Sequence, residues 1–242
     1  AIMVTAFFLR AKKLRKKERE RTVTNNRLAE MKLNALQSQM NPHFIFNVLN
    51  SIQDSFISNQ VVEANKYLSD FSSLMRLFLE SSDDKYISLE KEIKLLTYYI
   101  ELEIMRLENK FSFEFRISED LETDEVFIPT MLLQPIVENA IIHGIRYKEG
   151  PVQLIIAFSL RPDEKLHISI KDNGVGRERS AEINRNRRND HVSKATGIVK
   201  ERIEIINNSS VGFIDMKYVD LSENGTATGT KVELMMQLDV NR

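Results

Sequence analysis

Residues 134–144 read QPIVENAIIHG, and residues 172–176 read DNGVG directly after the alternating apolar run Leu166, Ile168, Ile170. The first stretch is helical in pattern. Leu132, Leu133, Ile136, Val137 and Ala140 supply a buried side, and Asn139 and His143 lie one turn apart on one face. The second stretch is a strand end followed by glycines, which permit close backbone approach and positive φ. A lone Glu-Asn pair on a helix is usually solvated surface, and Asn-Gly alone is a common turn dipeptide. Together they place a helix carrying polar groups beside a strand that ends in an aspartate, so the second half of the chain is expected to be α/β.

The elements around these stretches agree with that class. Phe111, Phe113 and Phe115 alternate with Ser112, Glu114 and Arg116, which predicts a strand. Pro129 suits the first turn of the helix running to about Ile145. Residues 152–160 and 166–171 read as two strands joined by a turn at Arg161, Pro162 and Asp163. Residues 174–196 are polar and expected to be irregular, residues 197–208 helical, and residues 211–219 and 230–240 a closing strand pair around Gly225 and Gly229. The expected sheet is mostly antiparallel and covered by helices.

The first half is helical in pattern. Residues 12–58 hold no glycine and only Pro42, and Leu33, Leu36, Met40 and Phe44 form one apolar stripe. A second stripe uses Ala64, Tyr67 or Leu68, Phe71, Leu74 or Met75, and Phe78, after a short link at Ser58, Asn59 and Gln60. Two such helices make a hairpin. A second copy would complete a four-helix bundle, the alternative being packing against the rest of the same chain. A third helix is expected from Ser88, a plausible N-cap with Glu90 and Glu92 in the first turn, to near Asn109.

Composition narrows the function classes. The 242 residues are 42% apolar and 29% charged with a net charge of −1, so no bulk basic field points to nucleic acid. Cysteine is absent, which excludes disulfides and thiolate metal sites. Residues 1–9 (AIMVTAFFL) are too few to span a bilayer, but Arg10, Lys12, Lys13, Arg15, Lys16 and Lys17 follow them. That order is how a spanning helix exits on the cytoplasmic side. The alternative is a mildly apolar terminus on a soluble protein.

Four segments recur in order: ENAIIHG with Glu138, Asn139 and His143; DNGVG with Asp172, Gly174 and Gly176; the lone Gly197; and GTATGT with Gly229 and Thr230. This set resembles the nucleotide-binding boxes of the histidine-kinase type ATPase domain, the Bergerat fold shared with gyrase B, Hsp90 and MutL. Residues 33–50 (LNALQSQMNPHFIFNVLN) resemble the phosphoacceptor segment of LytS-type sensor histidine kinases. The resemblance implies an α+β protein: an N-terminal helical hairpin dimerising into a four-helix bundle, then a Bergerat-fold α/β sandwich. The implied divisions are 1–26 the end of a transmembrane helix and a juxtamembrane helix, 27–85 the dimerisation and histidine phosphotransfer helices, and 86–242 the catalytic ATP-binding domain.

The resemblance further implies an ATP-dependent protein-histidine kinase. Asn139 would hold Mg²⁺ against the ATP phosphates, Asp172 would read the adenine amine, and Gly174 and Gly176 would let a lid move. Glu138 would polarise water or tune the metal site. His43 would be the phosphoacceptor, and Phe44 stands where the commoner class has an acidic residue, so the base comes from elsewhere. Residue by residue, His43 is also favoured, because His143, His167 and His191 fall on the site helix, a strand and the polar segment. Asn47, one turn beyond His43, could orient a water that removes phosphate from a response-regulator partner, or be a plain surface asparagine. Pro42 removes one helix bond at Ser38 and could act as a hinge. Arginines at 177, 179, 185, 187 and 188 could meet phosphate or simply be solvated. Implied partners are a second copy, a response regulator (often with a LytTR DNA-binding domain) and the bacterial inner membrane, with this region cytoplasmic. An ATPase-driven clamp or a degenerate dimerisation scaffold would share the nucleotide boxes.

Overall fold

The computed structural model describes residues 42–108, 110–186, 199–201, 203–204, 206–207, 213–223 and 225–237. The chain divides into two compact units between Leu49 and Asn50. The expectations for residues 1–41, Gly197, Arg187, Arg188 and His191 lie outside the described residues.

Helix α1 (Pro42–Ile57) opens the described residues, and α2 (Val61–Ser81) follows a turn at residues 58–60. Asn59 takes the left-handed conformation there, at φ 60°, a backbone that asparagine tolerates better than most residues. Ala64, Leu74 and Phe78 are buried, as their spacing requires. A short strand β1 (Tyr86–Ser88) leads into α3 (Leu89–Arg106), whose N-cap is Ser88, its hydroxyl accepting the Lys91 amide. No helix among the described residues is long and apolar enough to cross a membrane.

The remaining strands are β2 (Phe111–Ile117), β3 (Phe127–Pro129), β4 (Val152–Leu160), β5 (Lys165–Asp172), β6 (Ile214–Glu223) and β7 (Thr226–Gln237). Five of them form one sheet in the order β2-β4-β5-β7-β6, with only the β2–β4 pair parallel. Period-2 alternation buries Leu154, Ile156 and Phe158 of β4, Leu166, Ile168 and Ile170 of β5, and Val232, Leu234 and Met236 of β7. The mixed α+β class is as expected.

Three boundaries differ from expectation. Pro129 does not start a helix. It ends β3, which pairs with β1 (Tyr86 opposite Pro129), and Thr130 is tied to residues 84 and 85 by its hydroxyl and amide. The site helix α4 starts five residues later and covers Gln134–Asn139, with Pro135 in its first turn. Residues 174–196 are not irregular throughout, because Arg177–Asn186 form helix α5. Gly229 lies inside β7 and not in the turn, at a register shift opposite Leu221 and Ser222.

Candidate functional site

Strand parity builds the site. Leu166, Ile168 and Ile170 point to the buried face of β5, and Asp172 continues the same parity. A carboxylate therefore occupies a position where the pattern calls for another aliphatic group, and it is 3% exposed. Asp172 Oδ1 accepts the Gly174 amide at 2.8 Å. Burial pushes its carboxyl up to about 6, against the opposing pull of the Gly174 and Thr230 amides and the Lys148 charge. Desolvation wins because, among the described residues, no cation is in direct contact with the buried carboxylate to offset it.

Over Asp172 runs α4, which widens into a π-helical turn at Ala140–Ile145. Such widened turns occur often at functional sites. Here the turn brings the Gly144 carbonyl to the Val175 amide at 3.2 Å. The approach is close. A Cβ on Gly174 would stand 2.4 Å from the Gly144 carbonyl carbon, and one on Gly144 2.7 Å from Asp172 Oδ1. Gly174 thus serves the packing of loop on helix. Gly229 backs the same aspartate at φ 146°, where a Cβ would lie 2.1 Å from the Asp172 carbonyl oxygen.

A cavity of ≈ 170 Å³ opens between α4, the sheet and α5. Its walls bring together Asn139, His143, Asp172, Gly176 and Thr230 of the residues expected from sequence. Ile136, Ile170 and Val232 give it apolar surface, and Arg177, Ser180, Ala181 and Tyr218 close the far side. Burial pushes the His143 imidazole below its usual value, so it is neutral at cellular pH. Glu138 does not line this cavity. Its charge is felt by Tyr99 of α3, whose phenol is held well up by burial, then by Glu103 and Glu138. Among the described residues no cluster of His, Asp or Glu could hold a metal unaided.

Sequence reasoning missed three features. Glu92, read as a helix-start acid, is 1% exposed and accepts the amides of Met131 (3.3 Å) and Leu133 (3.2 Å). It caps α4 from another helix, where α4 has no side-chain cap of its own. The signal was its place on the apolar stripe Leu89, Leu96, Tyr99. Arg177, expected to be solvated or to meet phosphate, forms a two-pronged pair with Asp220 at 2.6 Å for both contacts. Arg179 pairs with Glu182 at 2.9 Å. Tyr218 was not singled out at all.

In the first unit His43 is exposed on α1, while Phe44 and Val48 are buried. Asn47 Nδ2 lies 2.9 Å from His43 Nδ1. His167 lies on β5, 3.5 Å from Glu233.

A family model described as histidine kinase matches residues 31–111. The sensor histidine kinase YpdA of Escherichia coli (strain K12) is 35% identical over 144 residues, 60% of this chain and 25% of that protein. The sensor protein LytS of Bacillus subtilis (strain 168) is 33% identical over 149 residues, 62% of this chain and 24% of LytS. The aligned stretch is thus about a quarter of either relative. Among solved structures, the histidine kinase domain of the blue-light activated kinase of Erythrobacter litoralis EL346 aligns with 88% of this chain and 94% of its own, at 15% identity and TM-score 0.48. Over about three fifths of its length the chain is thus similar to sensor histidine kinases such as YpdA and LytS, and residues 31–111 match the histidine kinase family model.

Proposed function

We propose that this chain is the phosphoacceptor and ATP-binding region of a sensor protein histidine kinase that phosphorylates His43 from Mg-ATP. The observation that carries the proposal is the buried Asp172 carboxylate at the floor of a cavity whose rim carries Asn139. A carboxylate has acceptor capacity beyond the Gly174 amide and suits an exocyclic amine of a base. Ile136, Ile170 and Val232 offer apolar surface to the ring of that base. Magnesium takes only one or two protein oxygens when phosphates and water supply the rest. Asn139 alone therefore fits the metal, and the missing carboxylate cluster is no obstacle. Glu138, one residue away and off the cavity wall, would act on the metal or water shell from the rim. The polar segment 174–196, flanked by Gly197, would form the lid.

His43 is exposed on α1, as an acceptor served by another domain's nucleotide must be. If the Asn47 amide turns its oxygen to His43 Nδ1–H, it fixes the tautomer whose Nε2 lone pair is free. That nitrogen attacks the γ-phosphorus, the P–O bond to ADP breaks, and the Nδ1 proton leaves to a base or water. Exposed apolar groups on α1 and α2 (Phe46, Leu49, Phe56, Ile57, Val62) support pairing of two copies into a four-helix bundle. The proposed divisions are 1–26 the end of a transmembrane helix and a juxtamembrane helix, 27–85 dimerisation and phosphotransfer, and 86–242 catalytic. The phosphoryl group then passes to a response-regulator aspartate.

The test is incubation with γ-labelled ATP and Mg²⁺ beside His43→Gln and Asn139→Ala. Acid-labile, base-stable label that is lost in both variants is the expected result. Label surviving in His43→Gln moves the acceptor, and nucleotide binding with no label favours a scaffold.

A further inference from the structure

β6 is the edge strand, and two cross-strand rows run to it beneath the cavity. One row is Leu154, Asp172, Thr230 and Asp220. The next is Ile156, Ile170, Val232 and Tyr218. Asp172 and Tyr218 both line the cavity from strands two places apart. Neighbouring strands lie about 4.8 Å apart, so roughly 10 Å separates the two strand axes. A base and its sugar fit between walls at that spacing.

Tyr218 is held in place from one side. The Arg177 guanidinium sits 5.2 Å from its ring centroid and is itself fixed by Asp220. The Tyr218 hydroxyl is buried and has no hydrogen-bond partner among the described residues. Buried tyrosine hydroxyls nearly always find a partner, and one without it at the wall of a cavity asks what the cavity holds. Burial also pushes the phenol up, so the group is a neutral donor at cellular pH.

We infer that Tyr218 is a second recognition residue for the nucleotide, donating its hydroxyl hydrogen to an acceptor atom of the base or sugar at the end opposite Asp172. The inference rests on the nucleotide reading of the cavity and adds to it a contact on the edge strand. Arg177 and Asp220 act as positioning residues that set the plane of the ring.

Tyr218→Phe tests this, because it keeps the ring and the Arg177 contact and removes only the hydroxyl. Calorimetric titration of the whole chain is expected to show ATP and ADP both weakened about 3- to 10-fold, by the same factor. Without nucleotide, the urea midpoint of the variant is expected to equal or exceed that of the wild type, since an unpartnered buried hydroxyl is removed. Unchanged affinity for both nucleotides overturns the inference. So does a fall in unliganded stability that accounts for the weakening, and so does a loss confined to ATP, which would put the contact at the phosphates. A wild-type chain that binds neither nucleotide sinks the nucleotide reading itself, and that result is read before any variant is made.

Discussion

Replacing Asp172 with asparagine is expected to stabilise the empty protein and weaken its ligand. The carboxyl is raised from 3.8 to about 6, with burial the leading cause. A raised carboxylate pKa means that the ionised form is disfavoured in the folded state. The penalty is absent below the unfolded value, grows as pH rises through the window from 3.8 to about 6, and is complete above it. A shift of about two units at ~1.36 kcal/mol each gives about 3 kcal/mol of lost stability at neutral pH and above. An amide in its place still offers an oxygen to the Gly174 amide and carries no charge. Urea unfolding of Asp172→Asn should therefore exceed wild type by about 3 kcal/mol near pH 8, and by roughly half of that near pH 5. The difference should all but vanish at more acid pH. Nucleotide affinity should move the other way, by about 10- to 100-fold, the worth of a hydrogen bond to a charged acceptor. A variant no more stable than wild type at pH 8, or an offset that ignores pH, would refute the claim that desolvation of Asp172 dominates.

Three further outcomes follow from contacts described above. Glu92→Ala leaves the Met131 and Leu133 amides buried without their acceptor and should cost about 2–5 kcal/mol in urea unfolding; Glu92→Gln, which keeps one acceptor oxygen, should lose about half as much. Gly229→Ala forces a Cβ to 2.1 Å from the Asp172 carbonyl oxygen, and the variant should lose more than about 4 kcal/mol or fail to unfold cooperatively by circular dichroism. Asn47→Ala should leave the thermal midpoint within about a degree or two, yet slow His43 labelling about tenfold, the value of one lost hydrogen bond at the reacting ring; an unchanged labelling rate removes the tautomer-fixing role of Asn47.

The parts of this molecule that were legible in the sequence are those decided by neighbours within one or two turns. Ala64, Leu74 and Phe78 follow the helical period, Ser88 caps the helix it precedes, and the parity of Leu166, Ile168 and Ile170 carries Asp172 inward. The parts that were not legible are settled by groups far along the chain. Pro129 obeys the local rule for a helix start, yet a ladder to Tyr86 claims it. Residues 177–186 hold only Ala181 and Ile183 as apolar groups and carry no stripe to announce a helix, while Arg177 finds its partner at Asp220, 43 positions away. Glu92 satisfies every rule for an exposed first-turn acid and is instead drawn inside by amides 39 and 41 residues downstream. A carboxylate is buried at a cost in desolvation, so it stays there only where an acceptor is needed more. That gives a usable criterion: an ionisable residue standing on an apolar stripe, as Glu92, Asp172 and Glu103 do, marks a place where distant backbone, a cation or a ligand must meet it. Glu103 meets Arg106, Glu92 meets the entry to α4, and Asp172 is left with a cavity. By this criterion the cavity side of Asp172 is where a ligand belongs, whatever family the chain resembles.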